Sequence, residues 1–358
     1  MCLPFAVLLL CMTLTSMLPA QRGQSSTARS RLSCVVVAQA SDSGNGRIGS
    51  VAPADRGRLA WSDGVTGTFV VRDARGVLHR AGRSGEGPGE FRGVSSIGWL
   101  GDTVWVSDYR LPRVQLFLET GKFLRTITAI LPAGWLPMPD GHLVGMLNAP
   151  VARGITYTVV AHQPGTTRID TIVDFPAPRP EQVMVPNQGQ APSANPHPLL
   201  PLTVAIGASD GSRWCAAIPD NGGRFSLRCV DPRGRTLFDR PISFPLREIT
   251  STIYDSVVAV FAAAPGRTRQ QMRDLISRPA FLPMVTGIQL DDFGDIWLGR
   301  QHFSELQARY VRLRADGTVR DSVTLPVSHR LKHIRGDSVW TTTTNDDGIQ
   351  SLNRCVIK

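Results

Sequence analysis

The sequence predicts an all-β protein: a six-bladed β-propeller whose ring is closed by an N-terminal strand, with one helical insertion between blades 4 and 5. Three observations predict this fold. A short apolar strand recurs six times, five copies continue into an alternating strand and a tight turn, and the last copy lacks an outer strand. Hydrophobic residues form 42% of the 358 residues, enough for a sizeable core, and 34 Gly and 26 Pro supply many turns.

The recurring apolar strand sets the number of blades. Its copies are centred on Ala60, Trp105, Val144, Cys215, Trp297 and Trp340. Successive centres are 45, 39, 71, 82 and 43 residues apart. A period of about 40 residues is typical of a four-stranded propeller blade, so the two long steps each contain one blade and an insertion.

A second strand follows the first in five of the copies. Apolar and polar residues alternate in it, and a glycine closes the turn after it. This alternation indicates β-hairpins rather than helices, because a helix would repeat every 3.6 residues. The five segments are Phe69–Gly76, Val114–Gly121, Thr158–Gly165, Leu227–Gly234 and Val311–Gly317.

The sixth copy stops after Ser351–Ile357, which leaves blade 6 one outer strand short. An unpaired strand edge would expose a row of backbone hydrogen-bonding groups. The segment 32–38 is apolar and β-branched and precedes the first repeat. We therefore predict that it completes blade 6.

The chain is expected to contain one domain behind a secretory signal. Residues 1–20 form an uncharged apolar block that ends at Ala20, which is typical of a signal peptide, although no basic residue precedes it. A segment 21–46 with the closing strand and a propeller over 47–358 follow. We expect a periplasmic or secreted protein with no membrane span after signal removal; the alternative is a membrane anchor formed by an uncleaved N-terminus.

Two insertions interrupt the propeller, over 176–202 and 245–288. The first contains eight prolines and little periodicity, which predicts an extended surface loop. The second contains an apolar stretch and then Thr268–Ile276, which reads as a capped helix with Met272, Leu275 and Ile276 on one face. This helical character favours six blades over seven.

The formal charge of +10 does not indicate a nucleic-acid partner. Of the 39 basic residues, all but Lys122, Lys332 and Lys358 are arginines scattered along the chain. No basic block with interleaved aromatic residues appears, as a groove that follows a phosphate backbone would need. We expect a monomer that binds a protein or a small molecule, without nucleic acid.

Four cysteines remain after the predicted signal. Cys215 and Cys229 flank a turn-rich stretch, 219–224, which places them opposite each other across a hairpin and within disulfide distance. The remaining pair, Cys34 and Cys355, would then join the closing strand to blade 6. Free buried thiols are the alternative, and no cysteine spacing typical of a zinc site is present.

Several motifs resemble those of a known family. The turn Gly85-Glu86-Gly87-Pro88-Gly89-Glu90-Phe91 is the most specific, and Asp102–Asp108, Arg113–Phe117 and Gly348–Leu352 support it. With these motifs, residues 47–358 resemble exported bacterial six-bladed propellers of the NHL-repeat type. The resemblance implies a protein that binds ligands or partners; a minority of such propellers, including gluconolactonase-like hydrolases and amidating lyases, are metal-dependent enzymes.

No sequence motif identifies the catalytic or metal-binding residues, so the candidates rest on position alone. Asp63, Asp108, Asn148 and Asp292 lie after or near repeat strands and are candidate calcium ligands, but each also fits a hydrogen bond in a turn. The pair Glu86 and Glu90 suits acid–base catalysis, or else satisfies backbone donors between blades. We therefore predict a binding protein without a cofactor rather than an enzyme; the alternative is a calcium-dependent hydrolase of the lactonase type.

Tryptophan positions separate into two groups. Trp61, Trp105, Trp214, Trp297 and Trp340 recur with the repeat, which predicts packing between blades. Trp99 and Trp135 lie outside this register and are expected to be more exposed.

Overall fold

The computed structural model describes residues 32–42, 47–131, 134–151, 154–178, 181–187, 190–220, 224–300 and 307–358. The predicted signal peptide and residues 21–31 and 43–46 of the N-terminal segment therefore lie outside the described residues. Within the described ranges, no helix is both long and apolar enough to cross a membrane.

Six four-stranded antiparallel sheets follow one another along the chain and form the six predicted blades. Within each blade we number the strands from first to fourth in sheet order. The strands of blade 1 are Ile48–Pro53, Leu59–Asp63, Phe69–Arg72 and Leu78–Ala81. Those of blade 2 are Val94–Leu100, Thr103–Asp108, Arg113–Leu118 and Phe123–Thr128. Those of blade 3 are Leu136–Pro137, Leu143–Val151, Gly154–His162 and Ile169–Pro178.

The other three blades have the same order. Blade 4 contains Val204–Gly207, Trp214–Pro219, Phe225–Val230 and Thr236–Ile242. Blade 5 contains Gly287–Leu290, Ile296–Gly299, Gln307–Leu313 and Val319–Pro326. Blade 6 contains Arg330–Arg335, Ser338–Thr344, Gln350–Ile357 and, as its fourth strand, Leu32–Gln39. The recurring strand found in the sequence is the second strand of every blade.

The N-terminal strand closes the ring as predicted. Leu32–Gln39 pairs antiparallel with Gln350–Ile357, and Cys34 lies directly opposite Cys355. These two cysteines form a disulfide bond, and a second joins Cys215 to Cys229 across the hairpin of blade 4. The closure of blade 6 is thus covalent as well as hydrogen-bonded.

The up-and-down order of the strands gives the ring two distinct faces. Turns between first and second strands, and between third and fourth strands, lie on one face, which we call the first-turn face. Turns between second and third strands and the connections between blades lie on the opposite, second-turn face. The first strands line the central channel, whereas the fourth strands are the most exposed, as Leu32–Gln39 and Leu78–Ala81 illustrate.

The core lies between the blades. Each neighbouring pair of blades shares one buried apolar cluster, so every sheet is covered on both sides. The recurring tryptophans lie in these clusters; Trp297, for example, packs with Ile334 and Val339 between blades 5 and 6. The prediction that they pack between blades is confirmed.

Two tryptophans are accommodated by glycines on the neighbouring strand. Gly98 of blade 2 lies opposite Trp105, and Gly207 of blade 4 lies opposite Trp214. A Cβ atom at Gly98 would come within 2.3 Å of the Trp105 ring, and one at Gly207 within 2.4 Å of the Trp214 ring. Glycine at these positions lets the indole lie flat against the first strand.

Replacing Gly98 by alanine is expected to lower the free energy of unfolding by about 2 kcal/mol, because the Trp105 ring must move in a closely packed interface. Gly287→Ala is the matched control, since a Cβ atom there meets nothing within 4 Å. Urea unfolding of both variants measures the difference. Equal stabilities would contradict the proposed role of Gly98.

The two insertions form one additional module, which corrects the prediction of an extended loop over 176–202. Residues up to 178 belong to the fourth strand of blade 3, and Gln182–Asn187 pairs with Gln190–Pro196 in a hairpin. The second insertion contains the helices Ser251–Ala262 and Arg269–Leu275. Val183 and Val185 of the hairpin share a buried core with Val257, Val258 and Met272 of the helices.

Polar contacts hold the module together. Arg267 donates hydrogen bonds to the carbonyl of Pro186 and to Asn187 Oδ1, each at 2.7 Å. The predicted cap at Thr268 is present, with a reciprocal hydrogen bond to Gln271. Met272 and Ile276 are buried as predicted, but Leu275 is 38% exposed, because the helix packs on a narrower face than expected. Both insertions connect blades, so they extend from the second-turn face.

Candidate ligand-binding site at the channel mouth

A cavity of about 670 Å³ occupies the central channel and reaches the first-turn face. The first strands of all six blades contribute to its lining, including Ser50, Ser96, Leu136, Gly207, Gln289 and Lys332. Because successive blades present their first strands to the ring axis, residues far apart in sequence meet here. The cavity therefore brings together side chains from all six blades.

Lys332 is the basic residue of the channel wall. Its Nζ donates a hydrogen bond to the carbonyl of Ile48 at 2.9 Å, which links blade 6 to blade 1. Burial lowers the pKa of Lys332, and the charges of Arg330 and Arg47 lower it further. The amine therefore gives up its proton more readily than an exposed lysine.

Aspartates surround the channel at the first-turn face. Asp55, Asp102, Asp210 and Asp292 each lie shortly after the first strand of a blade and line the cavity. In blade 5 the neighbouring Asp291 caps the turn, since its Oδ1 accepts hydrogen bonds from the amides of Phe293 and Asp295 at 2.9 and 2.7 Å. Burial raises the pKa of Asp291. The Asp292 carboxylate is left for contacts at the cavity.

Asp292 joins three chain segments. Ser209 of blade 4 donates a hydrogen bond to its Oδ1 at 3.2 Å, and the Nε2 of His333 lies 3.0 Å from the same oxygen. The buried Nε2 forms no hydrogen bond with any described residue, although it contacts this oxygen. The His333 side chain is only 13% exposed. An unsatisfied buried nitrogen beside a cavity is a group that a ligand can complete.

Two arginines complete the rim. Arg335 donates to Asp55 at 2.5 Å and lies 3.9 Å from Asp292. Arg58 pairs with Asp102 at 2.7 Å, and its guanidinium lies 4.7 Å from the centre of the Trp99 ring. The rim thus carries four aspartates and two arginines, with the aromatic ring of Trp99 on one side of the opening.

The structure places three of the four candidate calcium ligands on two different faces of the ring. The carboxylate of Asp63 accepts hydrogen bonds from the amides of Val65 and Thr66. Asp108 bonds the amides of Arg92, Arg110 and Leu111. Both lie in turns of the second-turn face, whereas Asp292 lies at the first-turn face. The side chain of Asn148, in the second strand of blade 3, is outside the described residues.

Side chains of the types that bind metal ions also cluster at the ring closure. Within the described part of the chain, one group of three has ligand atoms within 4.8 Å of one another, namely Cys34, Cys355 and His329. The two cysteines form the closing disulfide, so their sulfurs are already bonded. The Nδ1 of His329 lies 2.9 Å from the Thr341 hydroxyl.

The Gly85–Phe91 turn lies on the second-turn face, between blades 1 and 2. Glu90 accepts hydrogen bonds from the Gly87 amide at 2.8 Å and from Arg83 at 2.7 Å, and these contacts lower its pKa. Glu86 pairs with Arg92 at 2.9 Å.

The same turn is anchored to blade 2. Gln115 accepts a hydrogen bond from the Gly89 amide and donates to the Glu90 carbonyl, at 2.7 and 2.6 Å. A Cβ atom at Gly85 would lie 2.1 Å from the Glu90 carboxylate. The motif therefore satisfies backbone donors and links the two blades.

The two tryptophans outside the repeat register differ from each other in exposure. Trp135 is fully buried between blades 2 and 3, which corrects the prediction that it is more exposed. Its indole nitrogen donates to the Leu131 carbonyl at 2.8 Å. Trp99 is half-buried and lines the channel cavity.

The sequence analysis missed His333, Arg335, Asp55 and Arg58. A signal for the rim was present, because an aspartate lies two or three residues after the first strand in every blade, and those of blades 1, 2, 4 and 5 line the cavity. Aligning the repeats on their first turns, rather than on their apolar strands, would have revealed it. His333 has no such signal, since its role depends on a contact between blades.

Comparison with known proteins supports the fold alone. No protein-family model and no curated protein matches the sequence. A solved structure from Bacteroides fragilis NCTC 9343, which carries the name "Putative exported protein", has a TM-score of 0.52 and 13% identity, covering 93% of this chain and 96% of that chain. A member of the DUF4221 family from Bacteroides vulgatus has a TM-score of 0.48 and 9% identity, covering 92% and 96%.

Proposed function

We propose that the chain is an exported β-propeller of the NHL-repeat type that binds a polar small molecule at the channel mouth. One observation carries the proposal: the cavity collects the Asp292, His333 and Ser209 cluster and two arginine–aspartate pairs from separate blades. Few precisely placed polar groups in a cavity of several hundred Å³ are typical of small-molecule sites.

The composition of the rim indicates the kind of ligand. The rim aspartates can accept hydrogen bonds from a ligand, and the two arginines can donate them. The free Nε2 of His333 can form a further hydrogen bond, and Trp99 offers an aromatic surface. A neutral or zwitterionic molecule with several hydroxyl, amine or carboxylate groups would satisfy both signs of charge. A purely apolar ligand would leave these groups desolvated without partners.

The arrangement of Ser209, Asp292 and His333 favours ligand binding over acyl transfer. Ser209 donates its hydrogen bond to Asp292, and His333 also faces Asp292 rather than the serine. A serine nucleophile needs the histidine beside its hydroxyl to take the proton. The hydroxyl is therefore arranged to hold a carboxylate in place.

The proposed location outside the cytoplasm has two supports. Two disulfides fit an oxidising compartment. The similar fold from Bacteroides fragilis also carries a name that refers to export. Cleavage of the signal after residue 20 is tested by N-terminal sequencing of the secreted or periplasmic protein.

A thermal-shift screen of polar metabolites with the purified mature chain tests the channel site. Compounds that raise the melting temperature should bind Asp292→Ala at least about tenfold more weakly, because that variant removes a charged hydrogen-bond acceptor. Asp170→Ala, which removes an exposed aspartate of blade 3, is the control. Absence of any stabilising compound, or equal binding by Asp292→Ala, would contradict the proposal.

A calcium-dependent hydrolase of the lactonase type is the second candidate. The four rim aspartates supply the oxygen ligands that calcium prefers, although two of them are paired with arginines. A rise in melting temperature with CaCl₂, together with hydrolysis of a lactone that EDTA abolishes, would favour this function over binding alone.

A further inference from the structure

A second cleft of about 360 Å³ lies between blades 1 and 6 on the first-turn face. Five arginines line this arginine cleft, namely Arg56, Arg58, Arg72, Arg335 and Arg354. Asp55 is the only acidic residue among its described lining residues. Five cations against one anion is an unusual concentration of charge for a chain whose arginines are otherwise scattered.

Three of these arginines are not neutralised. Arg335 pairs with Asp55 and Arg58 pairs with Asp102. Arg56, Arg72 and Arg354 form no ion pair with a carboxylate in the part of the chain that the structure describes. The cleft therefore carries a net positive charge that its own residues do not cancel.

Neutral groups hold two of the unpaired guanidinium groups in place. Arg72 donates to the carbonyls of Gly57 and Val37, both at 3.3 Å. Arg354 donates to the Ser338 hydroxyl at 3.2 Å and lies 5.8 Å from the centre of the Trp340 ring. These contacts use part of each guanidinium and leave further N–H donors for a ligand.

Arg72 and Arg354 repel each other across the cleft. Burial lowers the pKa of Arg72, and the charge of Arg354 lowers it further. Two like charges in a partly buried cleft are unfavourable unless an anion lies between them. An oxyanion would relieve this repulsion and accept hydrogen bonds from both guanidinium groups.

The loop that borders the cleft has an uncommon backbone conformation. Arg56 has φ 59°, and it is the only non-glycine residue with positive φ among those described. Gly57, next in the chain, has φ 74°. Such conformations are concentrated at ligand-binding and active sites. Here the left-handed turn places Arg56 in the lining of the cleft.

We propose that the arginine cleft binds an organic oxyanion with two or more negative charges, carried as phosphate or carboxylate groups. Guanidinium groups bind both oxyanions through paired hydrogen bonds. Phe293, which is 66% exposed, lies beside Arg335 and offers an apolar surface for the organic part of the ligand. The cleft shares Asp55, Arg58 and Arg335 with the channel rim, whereas Arg56, Arg72 and Arg354 line the cleft and not the channel cavity.

Titration calorimetry at low ionic strength, with pyrophosphate and citrate as probes, tests the proposal. At least one probe should bind the full mature chain, and the affinity should fall as NaCl is added. Arg72→Gln and Arg354→Gln should each weaken binding by about tenfold or more. Tighter binding of pyrophosphate indicates a phosphate ligand, and tighter binding of citrate indicates a polycarboxylate.

Matched controls separate the cleft from general charge and from the channel. Arg233→Gln removes the same charge from an exposed position of blade 4 and should bind as the wild type does. Asp292→Ala, which disrupts the channel cluster, should also keep pyrophosphate binding. A loss with Arg233→Gln equal to that with Arg354→Gln would overturn the proposal, as would no binding of either probe.

A measurement on the unmodified sequence guards against variants that misfold. Phenylglyoxal modifies accessible arginines, and mass spectrometry locates the modified positions. The bound probe should slow modification of Arg72 and Arg354 and leave that of Arg233 unchanged. Modification of Arg72 and Arg354 at the same rate with and without saturating probe would overturn the proposal.

Discussion

Replacing Cys34 and Cys355 by alanine is expected to lower the free energy of unfolding by about 5 kcal/mol, the largest effect of any change considered. The bond joins residues 321 positions apart, so its loss frees almost the whole chain in the unfolded state. It also leaves the fourth strand of blade 6 held only by its hydrogen bonds and by the packing of residues such as Ala38. Denaturant unfolding of the oxidised wild type and the double variant measures the loss.

The second disulfide provides the control. Cys215 and Cys229 are 14 positions apart, so replacing both by alanine should cost only about 3 kcal/mol. Limited proteolysis should then cut the N-terminal strand in the first double variant but not in the second. Unchanged stability and protease resistance without the Cys34–Cys355 bond would show that it contributes little to ring closure.

Trp297→Ala is expected to lower the free energy of unfolding by about 4 kcal/mol. The side chain is 0% exposed and fills the interface between blades 5 and 6. The Arg312 guanidinium lies 5.5 Å from its ring centre, and the Tyr310 ring centre lies 5.7 Å away. Removing the indole leaves a cavity and takes the packing surface from both neighbours. Thermal and urea unfolding measure the effect.

Phe293→Ala is the control for this substitution, because Phe293 is an exposed aromatic residue in the turn before the same strand. Its removal should change the unfolding free energy by no more than about 0.5 kcal/mol. If both variants lost equal stability, the recurring tryptophans would not be the main packing residues between blades.

The propeller could be predicted because the sequence pattern of a blade is local and recurs along the chain. All six blades have the apolar second strand, and five of them continue into an alternating third strand and a glycine turn, so weak signals reinforce one another along the chain. The missing fourth strand of blade 6 then identified the role of Leu32–Gln39. Cys34 opposite Cys355 in the final register agrees with that assignment.

The module built from the insertions could not be predicted in the same way. Its proline-rich hairpin has no strong alternation, and it is stabilised by packing Val183 and Val185 on the helices. That contact joins segments about 70 positions apart, and the sequence of neither segment indicates that it packs against the other. The channel mouth has the same difficulty, since Asp292 and His333 meet only when blades 5 and 6 are side by side.

The closing strand also imposes an order on assembly. The chain is synthesised from its N-terminus, so residues 32–39 are available long before their partners at 350–357. Cys215 and Cys229 emerge before Cys355, so Cys34 meets two unsuitable thiols before its own partner exists. The native pairing therefore requires that Cys34 is still reduced, or is released by exchange, when Cys355 becomes available. Correct oxidation thus depends on timing as well as on the final geometry.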